Sequence, residues 1–150
     1  MTTRIARTVA ALTFALPVNA RAQSFDAVDA TITSVHAAFR SGKLTCHALV
    51  QQYLDRIAAY DQAGPHLNAI QHVNARALIE ADSLDGVLRA ALKARQPLAL
   101  LHCVPVLLKD QVETRDMPTT YGSALFKGFM SQREAPIVTR LEGAGASILA

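Results

Sequence analysis

The chain has no tryptophan, few aromatic residues and only two cysteines, and each scarcity closes off a class of function. Aromatic side chains make up 5% of its 150 residues, too few to build the stacking platforms that hold single-stranded nucleic acid. Two cysteines cannot make the multi-bridge framework of a small disulfide scaffold or a four-thiolate metal site. Cys46 and Cys103 could pair in an oxidising compartment, but two isolated cysteines are more simply read as buried free thiols, and that is the expectation here. The five histidines show no HExxH or other ligand spacing, so neither a metal nor any other cofactor is expected. A phosphate-cradling glycine loop is also missing. "Gly143-Ala-Gly145-Ala-Ser" ends a helical pattern and leads into a strand, the reverse of a dinucleotide fingerprint, and reads as a helix C-cap.

Acidic residues are absent from the first 22 positions, where Arg4, Arg7 and Arg21 account for three of the 15 basic residues. Beyond that segment 12 basic residues face 12 acidic ones, so no charge excess attracts nucleic acid. Arg4 and Arg7, the apolar run "TVAALTFALPV" and the small-x-small "Ala20-Arg21-Ala22" read in that order as a signal peptide over residues 1–22, with a mature chain beginning at Gln23. An amphipathic mitochondrial-type presequence is the alternative. The apolar run is too short to span a bilayer, so export to the periplasm or medium is expected, with no membrane span after signal removal.

With 51% hydrophobic residues, residues 23–150 can form a core. Thr31 and Thr45 are N-caps for two helices, the first with Ile32, Val35, Ala38 and Phe39 on one face and Gly42 at its stop. "Asp61-Gln-Ala-Gly-Pro65" ends the second. Leu67–Val73 is a strand candidate, Asn74 caps a long Ala/Leu-rich helix to about Arg95, and Val104–Leu108 is a strand suited to burial on both faces. A long loop follows to about Arg133. Ile137, Val138 and Leu141 then mark a helix stopping at Gly145, and Ala146–Leu149 is a last strand. The alternation predicts an α/β fold with strands that belong to a larger sheet, so the chain reads as part of something longer.

The stretch "VPVLLKDQVETRDMPTTYGS" carries the chemistry. A lysine closing an apolar strand has either slid to the surface, with Asp110 or Glu113 as partners, or has been placed to act as a base. Partial burial would favour its neutral amine, which can take a proton and activate a nucleophile.

"LHCVPVLLKD", then "DMPTTYGS", then "EAPIVTRLEGAGASILA" resemble, in order, the marker segments of the amidase signature family. These are a Leu-His-Gly-Ile-Pro-Val-x-x-Lys-Asp run, a Thr-Thr/Ser-x-Gly-Ser loop and an Arg-Leu-x-x-Ala-Gly-Ala helix end. "LTCHALVQQYLDRIAAYDQAGPHLNAI" is similar to the family's first helices and strand, so the resemblance runs from about Asp29 to Ala150. It implies the N-terminal part of the amidase signature fold, a mixed β-sheet covered by helices and incomplete in this chain. It also implies hydrolysis of a small carboxamide through a Ser–cis-Ser–Lys triad. Lys109 matches the catalytic lysine, and Thr119, Thr120, Gly122 and Ser123 match a loop on the substrate side. His102 matches a structural position.

Several positions depart from the pattern. "Ala99-Leu-Leu-His-Cys103" replaces the family's Gly-Pro-Leu-His-Gly, removing glycine where a turn would need it. Gln111 stands for Asn and Glu134 for Asp. The Gly/Ser-rich segment that bears both catalytic serines has no counterpart, so the isolated chain is expected to be inactive. A non-catalytic remnant or helical interaction module, and a Schiff-base enzyme using Lys109, remain open as alternatives. Oligomeric state is not legible.

Overall fold

The structure, a computed structural model, describes residues 25–150. The signal segment at residues 1–22 and the mature start at Gln23 therefore lie outside the described residues. Four helices and a short parallel pair of strands follow in the order α1 (Ile32–Arg40), α2 (Cys46–Arg56), α3 (Ala77–Ala94), β1 (Pro105–Val106), α4 (Pro136–Gly143) and β2 (Ser147–Ile148). The α/β reading holds, as the start of a sheet with helices against it.

Both threonine caps form as the sequence predicts. Thr31 accepts from the Ser34 amide at 3.1 Å while Ser34 Oγ accepts from the Thr31 amide at 2.9 Å, a reciprocal box that satisfies two donors otherwise left bare. Gly42, at φ +68°, turns the chain after α1. Thr45 Oγ1 accepts from the Ala48 amide at 3.0 Å, and the Asp85 carboxylate of α3 accepts from the Cys46 and His47 amides at 2.7 and 3.1 Å. The α2 N-terminus, with its partial positive charge, is thus held against α3 by a buried carboxylate.

The core lies among these three helices. Phe39, Leu49, Val50, Ala81, Leu88 and Leu149 are buried there. A smaller cluster of Met117, Val138 and Ile148, with Val106, Leu108 and Leu141 against it, joins α4 to the sheet.

α2 runs on as a π-helical turn over Ile57–Gln62, so the helical run ends within Asp61–Pro65 as expected. Three expectations need correction. Asn74 is not the N-cap of α3, which begins at Ala77 after Arg76 with no side-chain cap bond; Asn74 Oδ1 accepts from the Arg76 amide at 2.8 Å in the turn before the helix. Leu67–Val73 forms no strand. Buried Asp61 takes the amides that would have entered a ladder, accepting from Ala69 at 2.6 Å and from Ile70 at 3.3 Å. His66 and Asn68 adopt positive φ, which no extended strand permits. Val104–Leu108 is not covered on both faces, since Leu107 is 56% exposed. Only Pro105 and Val106 of that run count as strand, in register with Ser147 and Ile148. Pro105, lacking an N–H, suits a strand paired on one side.

Candidate active site

β1 and β2 run parallel, and an open cleft of about 750 Å³ lies beyond their carboxyl ends, where open α/β sheets place their ligands. Leu108 N–H donates to the Ala150 carbonyl at 2.8 Å. That bond extends the pairing past β1 and delivers Lys109 to the cleft beside the end of β2.

Of the nominated residues, Lys109, Thr120, Gly122 and Ser123 line the cleft. Thr119 does not. It is buried beneath, its amide donating to the Phe129 carbonyl at 2.9 Å, so it supports the loop from inside. Lys109 corrects a further expectation: it is exposed rather than partly buried, and its side chain makes no hydrogen bond or ion pair among the described residues. Neither Asp110 nor Glu113 is its partner.

Those two carboxylates organise the loop instead. Asp110 accepts from the Thr120 amide at 2.8 Å, the Thr120 hydroxyl at 2.7 Å and the Gly122 amide at 3.0 Å. The Thr120 amide bond leads in holding its carboxyl below the usual aspartate range, against partial desolvation; the Thr120 hydroxyl, the Gly122 amide and the nearby His72 reinforce the shift. Gly122 adopts φ +71°, a left-handed turn that glycine makes without strain. Glu113 accepts from Tyr121 Oη at 2.6 Å, Ser131 Oγ at 3.0 Å and an Arg133 guanidinium nitrogen at 3.3 Å. These bonds, the tyrosine's foremost, lower its pKa and raise that of Tyr121. Asp110 thereby holds the Thr120–Gly122 turn, and Glu113 ties Tyr121 of that turn to Ser131 and Arg133 at the far end of the loop.

Sequence reasoning treated both acids only as partners for Lys109. The signal that could have found their role is an Asp directly after the strand, ten residues before Thr-x-Gly, since carboxylates gather the amides and hydroxyls of such turns. It also passed over His72, which lines the cleft.

Behind the cleft, the turn that replaces the family's glycines survives. Cys103 sits at φ +57°, the left-handed region that costs a non-glycine residue about 1–2 kcal/mol. Its amide donates to the Gly145 carbonyl at 2.8 Å. Gly145 in turn packs so closely that a Cβ there would lie 3.0 Å from His102 Cα. Cys46 and Cys103 are not the free thiols expected, but are joined in a disulfide with Cα atoms 5.6 Å apart. Packing of α2 against the turn before β1 brings them together, across 57 residues of sequence.

The Amidase family model matches residues 48–150. The chain belongs to the amidase signature family. It is 39% identical over 127 residues to a probable amidase of Arabidopsis thaliana, an alignment covering 84% of this chain and 24% of the relative. It is 43% identical over 102 residues to a component of the glutamyl-tRNA(Gln) amidotransferase of Nocardia farcinica, covering 67% of this chain and 20% of that protein. Among solved structures, the native peptide amidase from Stenotrophomonas maltophilia superposes with a TM-score of 0.72 at 35% identity, over 81% of this chain and 24% of that one. The chain thus spans about a quarter or less of the length of these amidase relatives. The family match includes the strand, cleft and loop described above.

Proposed function

We propose that this chain is the base-bearing portion of an amidase that cleaves a small carboxamide, with Lys109 as the lysine of a Ser–cis-Ser–Lys triad. The observation that carries this reading is the gathering of Lys109, Thr120, Gly122 and Ser123 on one cleft in a chain of the amidase family. In such a triad the neutral amine takes a proton through one serine hydroxyl while the second serine attacks the amide carbon. Backbone amides of a glycine-rich turn then stabilise the oxyanion. Here Lys109 is open to solvent, and no two serines are adjacent in the sequence. The 150-residue chain alone therefore hydrolyses no amide, because members of a cooperating unit do not act singly. Export through the N-terminal segment belongs to the same proposal.

The test is an assay of residues 23–150 against simple aliphatic and aromatic amides, beside a Lys109→Ala protein. Equal, buffer-level rates are expected. Turnover that disappears in the variant would show the chain to be catalytically complete and overturn the inactivity. Borohydride trapping of a carbonyl compound on Lys109 would favour Schiff-base chemistry instead.

A further inference from the structure

Away from the cleft, one cluster of metal-ligating side chains is formed by residues far apart in sequence. The donor atoms of Cys46, His102 and Cys103 all lie within 4.8 Å of one another, and all three residues are at most 1% exposed. His102 Nε2 stands 3.7 Å from Cys46 Sγ, so the imidazole faces the sulfurs. We propose that, once the disulfide is opened, these three side chains form a binding site for Zn2+.

Contacts other than the S–S bond keep the donors together. The Cys46 amide is fixed to Asp85 at 2.7 Å, the Cys103 amide to the Gly145 carbonyl at 2.8 Å and the His102 amide to the Ala99 carbonyl at 3.0 Å. His36 adds a bond of 3.3 Å from its Nε2 to the His102 carbonyl. Reduction thus leaves the backbone of all three residues anchored. With Zn–S bonds of about 2.3 Å, tetrahedral coordination requires the sulfurs to separate to about 3.7 Å. Cα atoms 5.6 Å apart allow that by side-chain rotation.

Charge selects the ion. Two thiolates and one Zn2+ sum to zero, and the imidazole binds neutral, so the filled site buries no net charge. A monovalent soft cation would leave a buried negative charge close to Asp85. The fourth position falls to a water admitted with the ion. The chemistry balances with a small dithiol as reductant. It gives two electrons and two protons to the disulfide and leaves as its own cyclic disulfide; Zn2+ then displaces the two thiol protons. Disulfide and zinc are alternative links between α2 and the turn before β1.

The full chain is reduced with dithiothreitol, freed of it under argon, and titrated with Co2+ as a coloured stand-in for Zn2+. One-to-one binding is expected, with sulfur-to-cobalt charge transfer in the near ultraviolet and the strong visible bands of tetrahedral Co2+, all bleached by Zn2+. The oxidised chain should give none of this, Cys46→Ser and Cys103→Ser should each weaken the charge-transfer band, and His102→Asn should shift the visible bands. To keep the test independent of how well the variants fold, the reduced wild-type chain is also melted with and without Zn2+, and a higher melting temperature with the ion is expected. No Co2+ bound by the reduced chain, an unchanged spectrum in the cysteine variants, or a melting temperature indifferent to Zn2+ would each overturn the proposal.

Discussion

Asp110 shows how much one side chain can organise. Its carboxylate collects three hydrogen bonds from Thr120 and Gly122, and without it the turn beside Lys109 has no charged acceptor. An Asp110→Ala protein should exchange the Thr120 and Gly122 amide hydrogens about ten-fold faster, the loss expected for a modest charge-assisted bond. Unchanged protection at both amides would refute the role. The pH dependence follows from the direction of the shift. A carboxyl held lower in the folded chain than in the unfolded one contributes stability that is full above its unfolded pKa, near 3.9. That contribution is lost as pH falls through the lower folded value. Thr120 and Gly122 protection should therefore persist at neutral pH and fade only on acidification below the ordinary aspartate range. Lys109 shows the converse: position at a strand end does not by itself create the burial that a neutral amine needs.

At the scale of elements, the disulfide links the first turn of α2 to the turn before β1. Closing a loop across 57 residues restricts the unfolded chain by about 4 kcal/mol in the chain-entropy account, of which real proteins often realise less. Reduction should therefore lower the melting temperature of the metal-free chain by several degrees at least, and urea unfolding with and without reductant measures the difference. Coincident unfolding curves would mean that the Asp85 and Gly145 contacts hold α2 and the turn unaided. Cap chemistry, by contrast, is local. Thr31, Thr45 and Gly42 act on amides within a few residues, and their helices were legible for that reason. Leu67–Val73 was misread because its amides answer to Asp61, and a carboxylate's reach into a neighbouring segment leaves no periodic trace.

For the whole molecule, the uncovered surface matters most. Leu125 is 93% exposed, Leu100 78% and Leu67 67%, and Phe126, Phe129 and Met130 stand open along the cleft loop. Apolar area of this kind, with a two-stranded sheet paired on few edges, favours association. Residues 23–150 should show concentration-dependent self-association in sedimentation velocity, with dye binding and a broad melt. A monomer with a sharp cooperative transition at high concentration would count against it. Among the described residues no helix is long and apolar enough to cross a membrane.

The sequence by itself determined the helices, the Thr31 and Thr45 caps, the α/β class and the family. All of these are written in spacing over a few residues or in ordered motifs that need no partner. It also named Lys109, Thr120, Gly122 and Ser123, which meet on one cleft because a strand end and a following loop are close in chain as well as in space. Tertiary structure alone decided the rest: the Cys46–Cys103 bond, the place of Thr119 beneath the loop, the exposure of Lys109 and the grip of Asp110 and Glu113. The Cys46–Cys103 bond depends on which helix packs against which turn across 57 residues, and packing geometry has no period to read. The others depend on where side chains point once the loop is folded, and on which surfaces the remaining structure leaves open to water.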